Sequence, residues 1–126
     1  MNYSNTIELG NSSVTAISTY GHIVTQSTIG AVSDDGTYVT SGSASGSDVA
    51  GTVTESSNAG GAGWVKITFA NSYGVGAAPV VVVSPANASA VSEGTYYVSS
   101  TATDFTINFT ANTGQTSAVF NYIVIH

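Results

Sequence analysis

Hydrophobic and polar residues alternate along this chain in short runs. In Trp64–Phe69 every second residue from Val65 onward is apolar, and Phe105–Thr110 repeats the pattern from Phe105 onward. A period of two is typical of a strand with one buried face. No long segment has the 3.6-residue period of an amphipathic helix. The pattern therefore predicts short strands throughout.

A second apolar run, Val80–Val83, lies between Pro79 and Pro85. Four β-branched residues in succession predict a strand that is buried on both faces. The glycine-rich turn Asn71–Gly76 precedes this run, so we predict that Trp64–Phe69 and the run form a hairpin.

The last segment, Ser117–His126, is apolar on both of its faces. Such a strand should lie at the centre of its sheet or against another subunit. One face carries Phe120, Tyr122 and Val124, and the other carries Val119, Ile123 and Ile125.

Glycine, serine and asparagine separate the remaining short runs. Asp34-Asp35-Gly36 is typical of a tight turn, and Ser41–Ser47 reads as a loop of small residues. Asp48–Glu55 is predicted to be a strand with Gly51 at a bulge or a close approach. Ala86–Ser92 has room for one helical turn. Strands at this spacing predict an all-β fold, an antiparallel β-sandwich that resembles a jelly roll.

We predict two regions, which could also form one continuous domain. Residues 1–47 would be an N-terminal arm with short strands that contact neighbours. Residues 48–126 would be the β-sandwich knob. A chain of 126 residues is long enough to bury a core.

Composition narrows the function classes. Only 6% of residues are charged, and seven acids against one base give a net charge of −6. Nucleic acid and anionic membranes both need a basic surface, so neither is an expected partner. The absence of cysteine removes thiolate metal ligands and cysteine nucleophiles. Met1–Gly10 has no signal-peptide pattern, so we expect release by lysis if the protein acts outside a bacterium.

Catalytic candidates are few, and we predict that the protein is not an enzyme. Serines are plentiful, but there is no G-x-S-x-G motif and neither His22 nor His126 has a triad context. Asp34 and Asp35 are better explained as turn formers than as calcium ligands. No metal, cofactor or catalytic residue is expected.

Two other sets of residues leave alternatives open. Lys66, the only base, reads as a surface lysine beside Trp64, although a buried lysine would be reactive. Exposed aromatic residues would stack on sugar rings or serve an ordinary protein interface. This aromatic set is Tyr20, Tyr38, Trp64, Tyr73, Tyr96, Tyr97 and Tyr122.

From Asp48 onward the chain resembles a β-domain that recurs in bacteriophage virion proteins, especially those of phages that infect cyanobacteria. The resemblance covers nearly two thirds of the chain. It is carried by DVAGTVT, VKITFANSYGVGAAPVVVVSPAN, YYVSST, FTINFT and FNYIVIH, in that order.

The resemblance implies a homotrimeric knob, found at tail-fibre tips and among capsid decoration (cement) proteins, with no catalytic residues. If the chain is the whole gene product, its length favours a decoration protein, made in the host cytoplasm, that binds the major capsid protein on the shell exterior and stabilises the shell. The alternative is a tail-fibre tip that recognises host-surface glycan through tyrosines such as Tyr73 and loop asparagines. The predicted shell contacts are Ile7, Leu9, Val14 and Ile17, and the predicted trimer interface is Trp64, Phe120, Tyr122 and Val124.

Overall fold

The computed structural model describes residues 28–74 and 78–126. These residues form eight strands and one short helix. The elements in chain order are β1 (Val32–Asp34), β2 (Val39–Gly46), β3 (Ala50–Ser57), β4 (Gly63–Thr68), β5 (Val80–Pro85), α1 (Ala88–Ser92), β6 (Tyr96–Ser100), β7 (Asp104–Phe109) and β8 (Ala118–Ile125).

The strands form two four-stranded antiparallel sheets. Sheet A has the order β1-β4-β7-β6, and sheet B has the order β2-β3-β8-β5. The two sheets enclose a single apolar core, so the prediction of an all-β antiparallel sandwich is confirmed.

Alternation along the central strands fills this core. Along β4 and β7 every second side chain is buried, as the period of two in the sequence predicted. In sheet B, β3 and β8 contribute in the same way. The buried apolar residues are Val39, Val53, Val65, Ile67, Phe69, Ala90, Phe105, Ile107, Phe109, Ala118, Phe120, Tyr122 and Val124.

The predicted hairpin between Trp64–Phe69 and Val80–Val83 is wrong. β4 pairs with β1 and β7 in sheet A, whereas β5 pairs with β8 in sheet B. The chain between β4 and β5 therefore crosses from one sheet to the other. Asp48 holds the start of this connection, because its carboxylate accepts hydrogen bonds from the backbone amides of Ala70 at 2.8 Å and Asn71 at 2.9 Å.

β5 is also not buried on both faces. It lies at the edge of sheet B, where Val81 and Val83 face inward and Val80 and Val82 face outward. The run of valines does not indicate that one face of β5 is exposed, because β-branched side chains favour strands whether the face is buried or exposed. The last strand, β8, lies between β3 and β5 as predicted for a strand that is apolar on both faces.

Ser41–Ser47 is mostly strand rather than loop. β2 pairs along its length with β3, with an irregularity between Val39 and Ser41. Packing explains the small residue at position 42, because a Cβ added to Gly42 would lie 2.7 Å from a methyl carbon of Val65. Since β1 and β2 belong to the two sheets, the described residues before Asp48 are part of the sandwich and not a separate arm.

Several local predictions are confirmed. The carboxylates of Asp34 and Asp35 accept backbone amide hydrogens within the turn around Gly36, which has φ 66°. Asn87 caps the single helical turn of α1 by accepting a hydrogen bond from the Ala90 amide at 2.9 Å. At Gly51 the backbone approaches Ser45 and Tyr122 closely, as expected of a glycine within a strand.

Candidate functional site

The predicted trimer residues on β8 point into the chain's own core. Phe120, Tyr122 and Val124 are 0%, 2% and 5% exposed, so they have no surface to offer a neighbouring subunit. The sequence showed two apolar faces on this strand, and the face that we predicted for the interface is the one that packs in the core. Trp64 lies on the opposite side of the sandwich, on the outer face of sheet A. The predicted shell contacts, Ile7, Leu9, Val14 and Ile17, lie outside the described residues.

The outer face of sheet B carries an apolar patch formed by β5 and β8. Val80 lies opposite Ile125, and Val82 lies opposite Ile123. These four side chains, the sheet-B patch, are 52–64% exposed. Cross-strand pairs of this kind normally pack on one another and shield each other from water. Here they form a continuous apolar surface at one edge of the sheet.

The rest of this face is polar but uncharged. The outward positions of the four strands of sheet B carry alanine, serine, threonine, asparagine, valine and isoleucine, and no charged residue. The one acid on these strands, Glu55, points inward. A second molecule can therefore approach the face without desolvating a charge.

The outer face of sheet A has a different chemistry. Trp64 and Tyr97 both lie opposite Asn108, one from each neighbouring strand, which gives a row of two aromatic rings with an amide between them. Tyr97 is 60% exposed, and Trp64 is half-buried. The ammonium of Lys66 lies over the Trp64 ring, 5.4 Å from its centroid. Lys66 thus lies beside Trp64, as predicted, but it is half-buried and not a fully exposed surface lysine.

A buried polar cluster lies inside the sandwich, and the sequence analysis did not anticipate it. Glu93 is fully buried, and its carboxylate accepts hydrogen bonds from Ser57 Oγ at 2.7 Å and Thr113 Oγ1 at 3.2 Å. Glu55 is 1% exposed, and neither of its carboxyl oxygens has a hydrogen-bond partner. Burial, with the nearby charge of Glu93, raises the pKa of Glu55 to about 8.

One signal in the sequence could have revealed this cluster. Val53, Glu55 and Ser57 have the same parity along one strand, so an inward Val53 requires an inward Glu55. With a pKa of about 8 the Glu55 carboxyl is mostly protonated at neutral pH, and it is more simply explained as part of the core than as an acid for catalysis. Among residues 28–74 and 78–126 no group of three or more His, Cys, Asp or Glu side chains could hold a metal ion.

Tyr73, the predicted sugar-binding tyrosine, takes part in packing. Its ring makes an edge contact with Phe69, with the centroids 4.9 Å apart, and lies 5.0 Å from the ring of His126. Its hydroxyl donates to the carbonyl oxygen of Asp48 at 2.8 Å. Tyr73 therefore stabilises the connection that follows β4. Its side chain is less exposed than that of Tyr97.

Comparison of the chain with family models, with curated proteins and with solved structures gives no match. The resemblance to phage virion domains therefore stays a prediction. Within the described part of the chain no helix is long and apolar enough to cross a membrane.

Proposed function

We propose that the protein is a structural component of a bacteriophage virion, a capsid decoration protein that binds the shell exterior as a homotrimer. The observation that supports self-association is the sheet-B patch on an uncharged sheet face. Exposed apolar residues are common singly, but a contiguous set is typical of an interaction surface.

Charge explains why this face is suited to a second copy of the same chain. Each copy carries a net charge of −6, so most approaches between copies are repulsive. The outer face of sheet B avoids this repulsion because its outward positions carry no charge. Three copies arranged with this face toward a three-fold axis would bury their patches together, at a gain of about 25 cal/mol for each Å² of apolar surface removed from water.

A trimer of this kind would stabilise a capsid by binding only the assembled shell. Each contact with adjacent capsid subunits favours assembly by mass action. We propose that Ile7, Leu9, Val14 and Ile17 supply these contacts, since this segment contains aliphatic anchors in an otherwise polar stretch. The protein would act through binding alone, and no residue has a proposed catalytic role.

The oligomeric state tests the self-association step. Sedimentation velocity should find a trimer for the unaltered protein and a smaller species for the double variant V82T/I123T. Threonine keeps the branched shape that strands favour, but its hydroxyl takes the place of a methyl group of Val82 and of the ethyl group of Ile123. The matched control is V91T, because Val91 is 69% exposed on α1 and lies outside the patch. A monomer at every concentration, or a trimer that is indifferent to V82T/I123T, would contradict the proposed interface.

The position of the protein on purified virions tests the decoration role. Antibody against the folded protein should label the head at many regularly spaced positions. Capsids depleted of the protein should then lose resistance to heat or osmotic shock. Label confined to the tail would exclude the decoration role and favour a receptor-binding tip, and virions without label would exclude both.

A further inference from the structure

The outer face of sheet A contains the aromatic row Trp64–Asn108–Tyr97, which runs across three adjacent strands. Neighbouring strands are about 4.8 Å apart, so the backbones that carry the two rings are separated by roughly 10 Å. Both rings are on the solvent side of the sheet, with Asn108 between them. A flat ligand that lies across the strands can contact all three side chains.

Polar groups border this row on one side. Lys66, Thr106 and Ser99 form the next row along the same face, in register with one another. The side-chain amide nitrogen of Asn108 donates to Ser99 Oγ at 3.2 Å and to the Thr106 carbonyl oxygen at 3.3 Å. These contacts fix the orientation of the amide, so Asn108 presents a pre-organised polar group between the two rings.

Lys66 adds the only lysine or arginine side chain of the protein to this surface. Its ammonium has three hydrogen-bond donors and lies 5.4 Å from the centre of the Trp64 ring. A ligand placed on Trp64 would therefore meet an apolar ring and a strong donor together. The net charge of −6 disfavours a polyanion, so the suitable partner atoms are hydroxyl oxygens rather than a row of acidic groups.

We propose that this face binds a neutral saccharide chain of pyranose rings. Trp64 and Tyr97 would each stack against the C–H face of one sugar, and Lys66 and Asn108 would hydrogen-bond to the sugar hydroxyls. Such a ligand needs aromatic surface and hydrogen-bonding groups side by side, and the two rows supply both. The outward positions of sheet A within its strands carry no aliphatic side chain, unlike the sheet-B patch, which favours a hydroxyl-rich partner over an apolar one.

This inference is independent of the proposed decoration role. It concerns the opposite sheet from the sheet-B patch, and a trimer that uses sheet B leaves the outer face of sheet A available. A decoration protein and a tail-tip protein could each use the surface to hold host or environmental polysaccharide.

Binding at this surface can be followed by tryptophan fluorescence, because Trp64 is the only tryptophan in the chain. Its intrinsic fluorescence should change on titration of the intact protein with at least one neutral hexaose among maltohexaose, cellohexaose, xylohexaose and laminarihexaose. Amide chemical-shift changes on the same titration should map to β4, β6 and β7. Y97A should weaken binding by roughly tenfold, which corresponds to the loss of about one stacking contact.

Two further variants make the result specific. N108A should weaken binding with little effect on the near-ultraviolet spectrum of the folded protein, whereas V91A on α1 should bind as the unaltered protein does. The proposal is overturned if none of the four hexaoses changes the fluorescence or the shifts at millimolar concentration. It is equally overturned if binding survives both Y97A and N108A, or if alginate, an acidic polymer, binds and all the neutral chains fail.

Discussion

The hydroxyl of Tyr122 donates a 2.6 Å hydrogen bond to the carbonyl oxygen of Ser47, and its ring lies over Gly51. This contact joins β8 to the turn between β2 and β3 from inside the sandwich. Burial raises the pKa of Tyr122 to about 12, with the charge of Asp48 as a smaller cause, so the hydroxyl keeps its proton at neutral pH.

Removal of this hydroxyl should destabilise the fold without affecting association. Y122F keeps the ring in the core but leaves the Ser47 carbonyl without this donor, so the free energy of unfolding should fall by about 1–2 kcal/mol. Urea denaturation measures the change. Y97F is the control, because Tyr97 is 60% exposed and the same deletion there should have almost no effect. Equal stability of the two variants would show that the bond contributes little.

The contact also explains the need for glycine at position 51. A Cβ there would come within 2.7 Å of the Tyr122 hydroxyl oxygen and would collide with the carbonyl oxygen of Ser45. G51A should therefore cost about 1–3 kcal/mol, as an overpacked core does, in spite of the better strand propensity of alanine. S43A on the exposed side of β2 should be neutral in the same thermal unfolding experiment. A stable G51A protein would mean that β2 and β3 can move apart.

Stability should fall as the pH rises, because of Glu55. Its pKa is raised from the ordinary value of 4.5 to about 8 in the folded chain. Between these two pH values the Glu55 carboxyl keeps its proton in the folded state and has lost it in the unfolded state. The resulting contribution to stability is complete below about pH 4.5 and is lost as the pH approaches 8, with a slope of up to about 1.4 kcal/mol per pH unit.

Glu55→Gln should remove most of this slope, because the amide cannot ionise. The measurement is the midpoint of urea unfolding between pH 5 and pH 8.5 for both proteins. Only the difference in slope bears on Glu55, since glutamine brings its own hydrogen-bonding needs to a buried site. Parallel pH profiles for the two proteins would show that Glu55 does not titrate in this range.

Asn87 should matter more than its exposure suggests. Its side-chain oxygen accepts hydrogen bonds from the amides of Ala90 and Val119, and its side-chain nitrogen donates to the carbonyl oxygen of Ser117. N87A loses all three bonds and should cost about 1–2 kcal/mol. N87D keeps the acceptor and loses only the donor, so its thermal midpoint should fall between those of N87A and the unaltered protein. Identical midpoints for N87D and N87A would assign the effect to the lost donor.

The sequence predicts the strands better than their partners. Periodicity identifies β4, β7 and the central position of β8, because alternate burial depends on one strand and its two faces. It does not show that β4 and β5 lie in different sheets, since pairing depends on contacts between segments distant along the chain. The part of β2 from Ser41 onward was predicted to be a loop because its serines and glycines have low strand propensity, and its pairing with β3 outweighs that preference.

The candidate surfaces were predicted less well, for a related reason. In β8 the two apolar faces are equivalent in the sequence, and only the position of the other sheet distinguishes Tyr122, in the core, from Ile123, on the surface. The aromatic row has a similar origin. Trp64 and Tyr97 are more than thirty positions apart in the chain, and they approach each other only because β7 lies between their strands.

The placement of β8 between β3 and β5 also determines when the nascent chain can complete sheet B. This strand emerges from the ribosome after all the others, yet β3 and β5 have no contact with each other until it arrives. A nascent chain consequently carries β3 with one edge unpaired until β8 has been synthesised. We therefore expect folding in a single late step once β8 has been synthesised, slow because it depends on distant pairings, and a demand for chaperones during translation.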